Sequence, residues 1–266
     1  MRGEIKIMRG EDGPIESVWL KVFSFLRREE MDNLPVVTNQ QIYWDKIMFI
    51  YESALEQMNT KLDILNREFG LNHSYNPIEH VNSRMKTKDS IIDKLHRYGK
   101  DVTYENLVKY INDVAGIRII CAFTSDIYSL AQLISNQHDI KVLMIKDYIA
   151  NPKPNGYMSY HMIVSVPVSF SDRVVETKIE IQIRTIAMDF WASLEHKINY
   201  KFEGETPENF KRELKECADI AAFLDRKMLA LSDEVKYYRP DLFRETDRSG
   251  NTVITIEDAM FGEIVE

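Results

Sequence analysis

Four clusters of side chains in this chain have types and spacings that suit chemistry on phosphates. The first runs from Ser83 to Lys94. An extended stretch over 83–86 would set Arg84 and Lys86 on one strand face. A helix beginning near 88 would set Ser90 and Lys94 on one helix face as an i, i+4 pair. The strand-to-helix turn between them offers free backbone N–H groups beside those cations, which suits a polyphosphate. The second cluster runs from Asn112 to Ile120. Asp113 leads an apolar strand, where its oxygens could hold Mg2+. Gly116 lets another backbone come close, and Arg118 is the only charge in an apolar run, so it needs a partner or a ligand.

The third cluster is Glu180, Gln182 and Arg184, which alternate with Ile179, Ile181 and Ile183 in strict period two. Polar residues on one strand face are often the wet side of an antiparallel sheet. A strand covered by the helix that follows has less reason to keep them unless they line a cleft. The fourth cluster spans Lys153 to His161, where Tyr157, Ser159 and His161 alternate onto one face. An aromatic ring at a loop edge can stack a nucleobase. Each cluster alone also has an ordinary reading: a solvated charged surface, an Asp cap with an Arg ion pair, a wet strand face, a packed tyrosine. Their combination points to phosphoryl-type transfer. That reaction needs positioning cations, a metal-binding carboxylate and a base for a hydroxyl nucleophile.

Alternating strands and helices must position these residues. Apolar residues from Ile42 to Leu65 recur at three to five residues, which predicts a long helix over 39–69, with Thr38 as N-cap and Gly70 as its stop. A shorter helix is predicted over 15–32. Residues 78–86 are expected to be extended and 88–98 helical, with Gly99 at the C-cap. Residues 114–123 read as a strand, 125–136 as an amphipathic helix and 140–148 as a strand. Residues 151–156 are plainly a loop. Strands are predicted over 157–168 and 174–184, then helices over 186–200 and 207–235, with a charged tail from Pro240. The expected organisation is an N-terminal arm with helices over 1–70, a core over 71–200, and a C-terminal helix and tail over 201–266, all within one structural domain.

Bulk properties set the limits. The chain has 266 residues, 44% hydrophobic and 29% charged, ordinary values for a globular protein. Its formal net charge of -8 argues against a nucleic-acid partner, because phosphate backbones demand local positive charge. A small basic pocket for a nucleotide remains compatible with it. The two cysteines, Cys121 and Cys217, form no metal-spacing motif, and a reducing compartment fits. No apolar stretch approaches the roughly 18 residues of a membrane span, and no signal peptide is expected.

The ordered motifs resemble the RelA/SpoT-type synthetase domain, specifically the stand-alone small alarmone synthetases. They are residues 82–94, 113–118, 146–149 with 151–157 and 159–161, and 180–185 running into 188–196. The run 187–197 is most similar to the RelP type. The resemblance implies a mixed five-stranded sheet flanked by helices, nucleotidyltransferase-like (α+β), with helical extensions at both ends. It implies a GTP pyrophosphokinase that moves pyrophosphate from ATP to the 3′-hydroxyl of GDP or GTP, giving ppGpp or pppGpp and AMP.

Residue by residue, the resemblance implies that Arg84 and Arg118 sandwich adenine while Lys86, Ser90 and Lys94 bind the ATP phosphates. Asp113 ligates Mg2+ with Glu180 close by, and Glu180 is also the base. Tyr157 stacks on guanine, and Lys146, Lys153, His161, Gln182 and Asp189 line the acceptor side. Terminal helices commonly build a homotetramer in this group. The location implied is cytoplasmic.

Three departures are visible. Met144 stands where longer members carry a charge, so a preference between GDP and GTP is not carried over. His80 stands where the RelQ type has an aromatic residue beside a regulatory nucleotide, so activation by product is not carried over. Asp189 replaces an Asn of the RelQ type. Longer members add a hydrolase built on His-Asp pairs. The one such pair here, His138-Asp139, reads as a turn, so synthesis alone is expected, without a C-terminal ribosome-sensing region. Two other readings compete: a related pyrophosphokinase or nucleotidyltransferase with an adenine acceptor, and a catalytically silent nucleotide- or RNA-binding protein.

Overall fold

The computed structural model describes residues 36–72, 75–200 and 206–238. The helix expected over 15–32 and the tail from Pro240 lie outside them. The chain divides into two compact units, Met1–Ile47 and Met48–Glu266. The described part of the first is the opening of helix α1, Val36–Asn72. The second carries the rest of α1 and every other described element.

Helix α1 begins before Thr38 and continues past Gly70, so neither residue bounds it. A glycine inside a helix costs about 1 kcal/mol relative to alanine. It ends a helix when it takes a left-handed conformation at the cap, and Gly70 does not take one. From Met48 onward, α1 buries Tyr51, Ala54, Leu55, Met58 and Leu62 at helical spacing. Its Asn59 Nδ2 donates to Ser83 Oγ at 3.0 Å. Its Lys61 is ion-paired at 2.7 Å to Asp139, which lies in a turn with His138.

Strand β1, Ile78–Met85, leads into helix α2, Lys88–Arg97. Thr87 caps α2 by accepting from the Ser90 backbone N–H. Tyr98 is the C-cap, and Gly99 follows it with φ +64, the conformation expected of a glycine just past a helix end. Helix α3, Tyr104–Tyr110, was not anticipated from the sequence. Then come β2, Ala115–Cys121, α4, Thr124–Ser135, and β3, Lys141–Asp147. Strands β4, Tyr160–Ser169, and β5, Val174–Thr185, complete the sheet. Helices α5, Ile186–Tyr200, and α6, Glu208–Tyr238, follow.

The five strands lie in the order β1-β2-β5-β4-β3. Pairing of β2 with β5 is parallel, and the other three pairings are antiparallel, so the sheet is mixed, as expected. Ile117, Ile119, Ile179, Ile181, Ile183 and Met162 are buried. Helix α4 packs on β2 and β5 and brings Ile127, Leu130 and Ile134 to the core. Among the described residues no helix is long and apolar enough to cross a membrane.

Candidate active site

Strand register assembles the site in two rows that cross the sheet. Arg84 pairs with Gly116, Gly116 with Glu180 and Glu180 with Ile163. Two residues along, Asn82 pairs with Arg118, Arg118 with Gln182, Gln182 with His161 and His161 with Lys146. Paired residues share a face, so candidates from five strands meet on one surface. A cavity of about 170 Å³ opens there, lined by Arg84, Gly116, Arg118, Glu180 and Gln182 among others. A Cβ on Gly116 would lie 3.8 Å from the Arg84 side chain, so the glycine keeps the floor low beneath that arginine. The Arg118 Nε is buried and has no hydrogen-bond partner, a donor left for something else to meet.

Asp113 sits just before β2 and is gripped on both oxygens. Lys86 Nζ donates to Oδ2 at 3.0 Å and Lys94 Nζ to Oδ1 at 2.8 Å. Burial alone would push its carboxyl up, but the Lys94 and Lys86 ammoniums overcome that and hold it below its ordinary value. Ser90 lies in the first turn of α2, its Oγ accepting from Thr87 Oγ1 at 2.8 Å. Lys178 fixes the approach to Asp113 by donating to Val108 O at 2.8 Å and Asn112 Oδ1 at 3.1 Å. No sequence motif pointed to Lys178.

Glu180 follows the same logic. Burial pushes it up, and the neighbouring His161 and Gln182 bring it below its ordinary value. Gln182 Nε2 donates to Oε2 at 2.9 Å, and His161 Nδ1 lies 3.6 Å from Oε1. Both carboxyls are therefore ionised at neutral pH.

The acceptor-side candidates gather around a folded loop. Lys153 N–H donates to Tyr157 O and Gly156 N–H to Lys153 O, and Gly156 takes φ +90, a conformation that favours glycine. Tyr157 and Ser159 precede β4 instead of belonging to it, because their carbonyls accept from Lys153 and Tyr148 and close the loop. They still converge on the expected place. Tyr157 Oη is 2.8 Å from His161 Nε2, and Lys153 Nζ stands 4.7 Å from the Tyr157 ring centroid and 4.7 Å from that of Tyr148. Tyr157 also packs against Trp191, Ala192 and Ala218, which join α5 to α6. Lys146 is exposed on β3.

Two residues do more than the sequence indicated. Arg184 is 5% exposed and donates to Ser159, Tyr157, Gln182 and Asp189. Asp189 Oδ1 accepts from Arg184 Nη1 at 2.9 Å and lies 3.2 Å from Arg118 Nη1. Tyr148, edge-on to His161 at 5.2 Å, closes the cluster. The period-two pattern of β5 and the motif over 180–185 mark Arg184 in the sequence, but neither assigns it a role. Burial pushes the Cys121 thiol up to about 12, as suits an inert core residue.

Residues 83–205 match a family described as the region found in RelA / SpoT proteins. The chain is 47% identical over 205 residues to the GTP pyrophosphokinase YwaC of Bacillus subtilis, covering 77% of this chain and 96% of that one. The crystal structure of small alarmone synthetase 2 from Bacillus subtilis superposes with a TM-score of 0.66 at 47% identity, covering 72% of this chain and 99% of that one. That of small alarmone synthetase 1 from the same organism, bound to its product pppGpp, gives a TM-score of 0.68 at 34% identity, covering 73% and 98%. With this likeness over nearly the whole length of these three proteins, the chain belongs to the RelA/SpoT family, in its group of small alarmone synthetases.

Proposed function

We propose that this protein is a GTP pyrophosphokinase that moves pyrophosphate from ATP to the ribose 3′-hydroxyl of GDP or GTP, releasing AMP and working in synthesis only. The observation that carries the reading is the pair of rows crossing the sheet, which sets two arginines beside a half-buried carboxylate and a histidine. Arg84 and Arg118 flank the cavity as an adenine clamp would. Lys86 just before α2, Ser90 in its first turn and Lys94 in its last turn, with both lysines on Asp113, suit the triphosphate. Lys146, Lys153, Tyr157, His161, Gln182 and Asp189 surround the acceptor, with the Tyr157 ring as the stacking surface for guanine.

Glu180, ionised and half-buried, takes the proton of the 3′-hydroxyl. The 3′-oxygen then attacks the β-phosphorus of ATP. The bond from that phosphorus to the bridging oxygen of the α-phosphate breaks, and AMP leaves with the electron pair. Asp113 and Glu180 are hard oxygen ligands and fit Mg2+. Among the described residues no group of three or more His, Cys, Asp or Glu gathers to hold a metal, so phosphate oxygens and water would complete such a shell. When bound there, Mg2+ supplies neutralisation of charge developing on the phosphates. Both Asp113 oxygens are engaged by lysines, and a triphosphate drawing those lysines away would free them for the ion.

A homotetramer through the terminal helices fits α6, where Ile220, Phe223, Leu224, Met228, Leu231 and Val235 are exposed at helical spacing. A cytoplasmic setting fits the two free thiols. Replacing Glu180 with Gln tests the base. AMP release is expected to fall by at least about a hundredfold with the unfolding midpoint little changed. A fully active Glu180→Gln protein would remove Glu180 from that role.

A further inference from the structure

We propose that Arg184 and the Tyr157 hydroxyl are positioning residues that aim both hydrogen-bond donors at Glu180, an inference that rests on the reading of Glu180 as the base. Arg184 is buried and can only donate. Its Nη2 serves two acceptors, Gln182 Oε1 at 2.7 Å and Tyr157 Oη at 2.8 Å. Each acceptor begins an arm that ends at Glu180.

The first arm is Gln182. With Oε1 held by Arg184, its amide must turn Nε2 the other way, and Nε2 donates to Glu180 Oε2 at 2.9 Å. A flipped amide would set its NH2 against the guanidinium and its oxygen against the carboxylate. The second arm passes through Tyr157 and His161. Tyr157 Oη accepts from Arg184, so its single proton is the one available for His161 Nε2, 2.8 Å away. A neutral imidazole has one donor and one acceptor nitrogen. Nε2 as the acceptor puts the proton on Nδ1, which lies 3.6 Å from Glu180 Oε1. The opposite tautomer would leave a lone pair of Nδ1 facing a carboxylate. A donor at this distance tightens when substrate arrives.

Arg184 is itself fixed from behind. Asp189 Oδ1 takes Nη1 at 2.9 Å and Ser159 Oγ takes Nε at 3.3 Å. Arg184 does not itself line the cavity, and acts through Gln182 and Tyr157.

The test is Tyr157→Phe, which keeps the ring and removes the hydroxyl. Protein carrying 15N-histidine would be examined by long-range 1H–15N correlation at a pH where His161 is neutral. Wild-type His161 is expected to show a protonated Nδ1 and an unprotonated Nε2, and Tyr157→Phe to shift towards the Nε2–H form. The kcat of Tyr157→Phe is expected to fall roughly tenfold, the worth of about one net hydrogen bond. KM for the guanine acceptor is expected to stay within about twofold, because the ring remains. Arg184→Lys keeps a charge but not the fork, and the same loss of kcat is expected. Wild-type His161 protonated on Nε2, or Tyr157→Phe with kcat within twofold of wild type, overturns the proposal. Failure of the base reading shows up separately, as full turnover by Glu180→Gln with the His161 tautomer unchanged.

Discussion

Lys94 Nζ stands 2.8 Å from Asp113 Oδ1, so the cation proposed to take a phosphate holds the carboxylate proposed to take the metal. Lys86 does the same on the other oxygen at 3.0 Å. On the proposed reading, triphosphate binding exchanges these two ion pairs for charge-assisted bonds to phosphate, each worth about 1.5–3 kcal/mol. Lys94→Met and Lys86→Met are each expected to raise KM for ATP about 10- to 100-fold. KM for the guanine acceptor should stay within about threefold. Steady-state kinetics with each substrate varied in turn check this, and an equal rise in both KM values would place these lysines elsewhere.

The same ion pairs make stability depend on pH. The Asp113 carboxyl is held below its ordinary value of about 3.9. A depressed carboxyl contributes stability that is complete above its unfolded pKa and is lost as pH falls through its folded one. Asp113→Asn is therefore expected to be less stable than wild type at pH 7, with the gap closing below about pH 4. Denaturant unfolding at several pH values measures it, and a gap independent of pH would contradict the sign.

Gly156 brings the loop proposed to hold the acceptor close against α6. It has φ +90, and a Cβ there would lie 2.5 Å from Ala218 Cβ. Gly156→Ala must either strain the backbone, at about 1–3 kcal/mol, or lift the loop. KM for the guanine acceptor is expected to rise at least about fivefold while KM for ATP stays near wild type. Kinetics with both substrates decide it, and an unchanged acceptor KM would mean the loop does not have to sit against α6.

The exposed apolar stripe on α6 calls for a partner. Leu224→Glu with Met228→Glu, at positions 52% and 48% exposed, is expected to lower the oligomeric mass without loss of helix. Light scattering after size-exclusion chromatography reads the mass. A variant with the wild-type mass would remove α6 from the interface.

What was readable beforehand follows from the range of each interaction. The alternation of Ile179, Ile181 and Ile183 with Glu180, Gln182 and Arg184 depends on neighbours two residues apart, and it located β5 within a residue. Which strand lies beside β5 is a different question. Its parallel partner β2 is about sixty residues away in the chain, so the rows from Arg84 to Glu180 and from Arg118 to His161 appear only with the register. Tyr157 and Ser159 alternate like strand residues, yet their carbonyls close the loop instead of joining the ladder. Arg184 looked like one more polar residue on β5. Its acceptors Ser159, Tyr157, Gln182 and Asp189 come from a loop, a strand and a helix, and no local pattern announces such a gathering. Helix α3 is only seven residues long and held by its Thr103 cap, too short for periodicity to reveal.

The identity of the products tests the central claim most directly. Protein incubated with ATP, Mg2+ and either GDP or GTP would be followed by separation of the nucleotides. The expected result is AMP together with a guanine nucleotide pyrophosphorylated at the 3′-position, formed one for one. ADP or free phosphate in place of AMP, or transfer to ADP in preference to GDP, would contradict it.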